Sequence, residues 1–450
     1  MKRSINRPAR IAMAAAVLAA TGALTVTFVT SGGNGAADAA TSLDQYVPIQ
    51  QVQPGPRPPK AGPDAATGRF TVNCGTNGNG KFSPDNPVAQ PGIKNGAEHL
   101  HDFVGNKDIT ADSSNAELDA SGTTCRNGDK SSYFWPVVRI DRSVRSADQV
   151  KQALAHTQPM VVCPSVRDRI PAGVAWRGRR ILAELDRLTA EANRRMTASH
   201  GRIDTRLNKQ ILDGLRERRA ALIKRLGRDL ISLVDCDVSY DAMHASMHSA
   251  APVPAPSASA LPEPQGRNLE LPGNTGGIVR PARVLIEYRG NPVSKVVPMP
   301  KFLRALTGDA KPTSRGPANA RGSWSCSGFG DRLSEKYTIC PTGSRVQRVH
   351  DFPGCWDGVN IDSDNHRKHV AFADKVTGAC PQGFKAIPQL RITISYDIPR
   401  DVQRKGQYAL DSFPEENHNP FSDHDDFINV NSARTMQRIA TCINRGRNCS

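Results

Sequence analysis

The sequence predicts an α+β protein: a β-rich, disulfide-stabilised core with long loops and an inserted antiparallel helical hairpin. Three observations carry this. Strand-like alternation of apolar and polar residues recurs at 69–74, 133–140, 284–288 and 390–396, between segments rich in Gly, Asn, Asp and Pro. Ten cysteines run from Cys74 to Cys449 with no C-x-x-C among them. Helical periodicity is confined to residues 174–234.

In that helical stretch Val174, Ile181, Leu185, Leu188, Ala192 and Met196 recur at three- and four-residue steps. After a break at Ser199-His200-Gly201, Ile203, Leu207, Ile211, Leu215, Leu222, Leu226 and Leu230 do the same. Two amphipathic helices joined by a short turn form a hairpin, a protruding coiled coil whose feet a Cys163–Cys236 bridge would tie together. The insertion is assigned to 164–235. Its Arg-rich surface suits docking to an anionic wall polymer or lipid headgroups, or simply keeps a charged insertion soluble.

The N-terminus reads as an export signal over 1–39. Lys2, Arg3, Arg7 and Arg10 precede an apolar stretch at 11–29, and Ala37-Asp38-Ala39 fits a cleavage site. Membrane attachment is expected only if this segment stays uncleaved. Export favours disulfides over thiol–metal chemistry, and pairing sequence neighbours gives Cys74–Cys125, Cys163–Cys236, Cys326–Cys340, Cys355–Cys380 and Cys442–Cys449. Residues 40–68, rich in Pro, Gly and Ala, read as a poorly ordered lead-in, and 249–280 as a Pro/Ala/Ser linker. The domain then runs over 69–449, and His244 and His248 read as solvent-exposed.

The formal charge of +16 is unevenly placed. Residues 165–234 hold 17 Lys/Arg against 8 Asp/Glu, and the signal region adds four more cations. The remainder is nearly balanced, which disfavours nucleic-acid binding by the core. No phosphate loop suggests a nucleotide site, and no G-x-S-x-G suggests a serine nucleophile.

Residues 351–373 concentrate ionisable groups in a Gly/Asn/Ser-rich loop: Asp351, Asp357, Asp362, Asp364, His366 and His369. Elsewhere His99 and His101 stand two apart, sharing a face if in a strand, and His424 with Asp426 forms another alternate pair. Three segments together resemble one family, the secreted bacterial and fungal proteins grouped as domain of unknown function 1996. The first is Asn86 to Gly92 with Glu98-His99-Leu100-His101-Asp102-Phe103-Val104-Gly105. The second is Phe352-Pro353-Gly354-Cys355-Trp356-Asp357-Gly358 with Asp362, His366 and His369. The third is His424-Asp425-Asp426-Phe427. Asn86, Glu98 and Val430 depart from the family's usual Asp, Ser and Gly. The resemblance spans about 69–445 and implies an extracellular, carbohydrate-facing protein without an assigned activity.

Candidate catalytic residues are His99, His101, Asp357, His366, His424 and Asp426; candidate metal ligands are His99, His101, Asp362, His369 and His424. Zinc or copper suits the imidazoles, and calcium suits a carboxylate-only subset. The competing reading is a buried Asp–His network with every hydrogen bond satisfied. A metal-free glycosidase would pair Asp357 with Asp426. A lyase would use His99 or His101 as base and Arg367 or Lys368 as the stabilising cation. The expectation is a secreted protein acting on extracellular polysaccharide by hydrolysis or elimination; the alternative is a non-catalytic wall-binding protein whose His/Asp cluster is structural.

Overall fold

A computed structural model describes residues 43–141, 160–170, 175–198, 205–239, 271 and 274–450. The expected export signal, the helical break at 199–201, His244, His248 and most of the 249–280 linker lie outside the described residues.

Two sheets form the body. The larger orders the strands Trp324–Cys326, Val346–Asp351, Gln389–Tyr396, Arg283–Arg289, Arg69–Val72 and Asn448–Cys449, antiparallel except for the last pair. Its third strand, QLRITISY, buries Leu390, Ile392, Ile394 and Tyr396 at alternate positions, as a half-buried strand must. The second sheet orders Arg304–Gly308, His424–Ile428, Ser132–Pro136, His101–Gly105 and Phe82–Ser83, all antiparallel. Val104, Tyr133, Trp135, Ala305 and Phe427 of this sheet share one apolar cluster with Phe70, Ile286, Tyr288, Ile392 and Ile394 of the other. Phe103, Phe134, Leu306 and Ile428 point the opposite way into a second cluster. The period of two places His101 and His424 on this second side, away from the main core.

All five expected cysteine pairs are joined. No helix among the described residues is long and apolar enough to cross a membrane.

Residues 43–68 differ from the expected poorly ordered lead-in. Tyr46–Pro48 pairs in parallel with Tyr337–Ile339, and Tyr46 packs against the rings of Tyr337 and Tyr408. Gly55, Gly62 and Ala66 donate backbone hydrogen bonds to Asp331, Pro292 and Asn291. Composition hides this because one aromatic anchor and scattered backbone bonds leave no periodic signature.

The helix Ala175–Thr197 lies antiparallel to the segment from Thr205 to Ile223. Leu188, Ala192 and Met196 meet Ile211, Leu212 and Leu215, while Ile181 and Leu185 meet Ala220, Ile223 and Leu226. The second helix contains one π turn at Lys209–Asp213 and ends at Ile223, short of the predicted stripe. Leu230 sits instead in the 3-10 turn Arg228–Leu233. Nor does the hairpin simply protrude. Asn208 donates to the Ser314 carbonyl at 3.0 Å, and Asp237 meets Arg315 at 2.9 Å and buried Lys311 at 3.3 Å. Buried cations on the body require carboxylates, and the strand that leaves the hairpin supplies one.

Candidate metal centre and its pocket

His101 and His424 each begin a strand, and the strand ending at Pro136 runs between them. His101 pairs with Pro136, and the His424 strand pairs with the other edge of the same strand. The two imidazoles close over this edge until their Nε2 atoms are 3.2 Å apart. His99 lies in the bend before the first strand, where Glu98 adopts a left-handed conformation at φ 52°. That bend brings His99 Nε2 to 3.3 Å from His424 Nε2. All three rings are buried, and their ligand atoms lie within 4.8 Å of one another.

The electrostatics keep the rings neutral. Burial, then the neighbouring imidazoles, lower His99 and His101 well below the ordinary histidine value; burial brings His424 down to about 4. His424 Nδ1–H donates to the Ser422 carbonyl at 3.0 Å, so its Nε2 carries the lone pair. The backbones of Ala97 and Ser83 lie beside the His99 and His101 rings and favour their protons, although Nδ1 of each makes no well-formed hydrogen bond. A single lone pair on His424 accepts from one neighbour, not two, so an internal network leaves one contact unsatisfied. A cation held between the three rings would resolve the conflict. Tetrahedral zinc with Zn–N bonds of about 2.0–2.1 Å has N···N edges of about 3.3–3.4 Å, close to both separations from His424.

The surroundings hold this arrangement. Gly308 pairs with His424 and has φ +76°; a Cβ there would lie 2.2 Å from the Asp423 carbonyl oxygen. Asp423 forms an ion pair with Arg348 in which neither side chain is exposed. Arg348 also donates to the Pro136 carbonyl at 2.7 Å, so one guanidinium ties the start of the His424 strand, through Asp423, to the end of the strand between the two histidines. Phe413 packs edge-on to His99, and Asp411 accepts from the Leu100 amide at 3.3 Å.

His99 and His424 line a cavity of about 50 Å³ together with Asp426, His366, Arg367, Asn365, Arg315, Asp235 at the hairpin's foot and Asp237 just beyond it. Such a volume holds a few water molecules or a small group. Burial pushes the Asp426 carboxyl up to about 7, although Asn86 donates to it at 3.1 Å. His366 Nδ1 meets Asp362 at 2.9 Å, and its Nε2 has no hydrogen-bond partner. Burial alone would lower His366, but Asp362 outweighs it and raises the value, so the imidazolium is favoured.

Of the expected residues, His99, His101 and His424 are brought together, and His366 and Asp426 share the pocket that His99 and His424 line. Asp362 serves His366 and is not in the imidazole group. His369 is corrected as a ligand: Ser363 Oγ lies 3.1 Å from its Nδ1 and the Arg304 carbonyl 2.7 Å from its Nε2. Asp357 is corrected as a catalytic carboxylate. It accepts from the Val359 and Asn360 amides at 2.9 Å, an Asx turn outside the pocket. Lys368 is exposed and pairs with Asp364, whereas Arg367 reaches the pocket. Sequence reasoning missed Arg315, Asp237 and the Arg348–Asp423 pair, because charges far apart in the chain give no local signal of pairing.

Fold and site define a disulfide-stabilised, β-rich α+β protein with a buried three-imidazole cluster at the end of one sheet. The family model of a domain of unknown function, DUF1996, matches residues 277–430. His366 and His424 fall inside the matched segment; His99 and His101 lie upstream of it. No curated protein and no solved structure matches the chain.

Proposed function

We propose that this is a secreted metal-dependent hydrolase acting on extracellular polysaccharide, with His99, His101 and His424 as metal ligands. The observation that carries the reading is the convergence of three neutral imidazoles at separations of 3.2 and 3.3 Å around His424. Imidazole ligands favour zinc or copper over calcium. A zinc ion held by His99, His101 and His424 would supply Lewis acidity to the reaction. In this reading His366, whose protonated form Asp362 favours, gives a proton to a leaving group, and Asp426 accepts one from water. The polysaccharide substrate rests on the family resemblance and the expected export signal.

A second reading, a wall-binding protein with a structural ion, draws on His101, which is fully buried and does not line the pocket. The two readings separate on reducing-end release from a polysaccharide panel by zinc-loaded protein. Under the first, wild type releases ends and His366→Ala, folded and with its metal content kept, does not; its melting temperature falls only by the loss of the buried Asp362 partner. If zinc-loaded wild type releases none and chelator only lowers the melting temperature, the ion is structural.

A further inference from the structure

We propose that the turn Asn365-His366-Arg367 is an oxyanion-binding element, so that the ligand of this pocket carries a carboxylate, sulfate or phosphate group. This rests on the same pocket being the substrate site, and it adds the chemistry of what enters. Three consecutive residues on the turn line the cavity, with the chain bent by His366 in a left-handed conformation at φ 56°. Asn365 Oδ1 accepts from the Arg367 and Lys368 amides at 3.1 and 2.9 Å and from Ser363 Oγ at 3.2 Å. Those donors orient the side-chain amide and leave its NH2 as the group available to a ligand. His366 Nε2 is buried without a partner while Asp362 occupies Nδ1. The Arg367 guanidinium donates to the Gly308 carbonyl at 2.7 Å, its only hydrogen bond among the described residues.

The pocket's carboxylates make no hydrogen bond to these donors, although Asp426 lies near enough to act on Arg367 and His366, and Asp235 on His366, through their charge. Asp235 meets Arg216 at 2.9 Å, Asp237 is held by Arg315 and Lys311, and Asp426 accepts from Asn86. A guanidinium, an imidazole N–H and an amide NH2 converging from one turn suit the several lone pairs of an oxyanion.

The test is calorimetric titration of galacturonic acid, inorganic sulfate and neutral galactose into zinc-loaded and chelator-treated protein. Galacturonate or sulfate should bind more tightly than galactose in both forms, and Arg367→Ala should weaken the anion about tenfold or more. Preference for galacturonate assigns the group to an acidic sugar; preference for sulfate assigns it to a free or esterified oxyanion. Arg367→Ala should keep zinc stoichiometry, and if it fails to fold, Asn365→Asp provides the same loss by adding a repelling charge. Anion affinities no better than that of galactose, or unchanged in a folded variant, overturn the proposal. Anion binding that depends on Arg367 in a protein that takes up no zinc would sink the metal reading and leave this one standing.

Discussion

The Nε2 atoms of His101 and His424 lie 3.2 Å apart although their strands are not neighbours in the sheet. Only the strand ending at Pro136 separates them, and its proline offers no long side chain to keep the rings apart. The approach has a consequence for acid stability. Each ring has a lowered value in the folded protein, so below about pH 6.5 the unfolded chain binds protons that the folded chain refuses. Stability should be fully present above that pH and fall toward pH 4, with any bound ion released over the same range. Melting curves across pH 4–8, with and without zinc, measure this; a flat profile contradicts it.

Asp362 and His366 titrate as a pair with opposite signs. Burial would raise Asp362, but His366 outweighs it and lowers the carboxyl; Asp362 in turn raises His366. The Asp362 contribution is present above its ordinary value and lost as pH falls through the lowered one. The His366 contribution is present below about 6.5 and lost as pH rises through the raised one. Their mutual stabilisation is therefore complete between about pH 4 and 6.5. Asp362→Asn should remove that part of the pH dependence and leave metal content unchanged, read by melting curves and elemental analysis.

Arg348→Met strips Asp423 of its guanidinium and leaves only Ser323 and His350 beside the buried carboxylate. Loss of one partner of a buried pair costs about 3–5 kcal/mol, and neither side chain here has any exposure. Urea unfolding should show a loss of that order. Since Arg348 also holds the Pro136 carbonyl, zinc affinity should fall in the protein that still folds.

Asp357→Ala should do little. Its carboxylate caps an exposed turn, so a loss of about 1 kcal/mol or less is expected, with metal content and any turnover retained. A large loss of turnover would restore Asp357 to the catalytic group.

Much of this site is legible in the chain because its ligands sit in short motifs. His99 and His101 at alternate positions, and His424 beside Asp426, announce shared faces by their spacing alone. The cysteine pairs are legible because neighbours in sequence are neighbours in space. What stays hidden depends on long-range pairing. Asp357 resembles a catalytic carboxylate beside Trp356, yet Asx-turn chemistry claims its oxygens. The hairpin reads as an appendage because its periodicity is self-sufficient, while its links to the body run through Asn208 and, just beyond the hairpin, Asp237. Density of ionisable groups in 351–373 likewise mixes one pocket dyad, Asp362 and His366, with turn and surface pairs.

The central claim is that His99, His101 and His424 hold a metal ion, and elemental analysis of the purified protein tests it most directly. One zinc or copper ion per chain is expected, removed by chelator with a fall in melting temperature and absent from His424→Ala. Sub-stoichiometric metal in wild-type protein, with a melting temperature that chelator does not move, would contradict it.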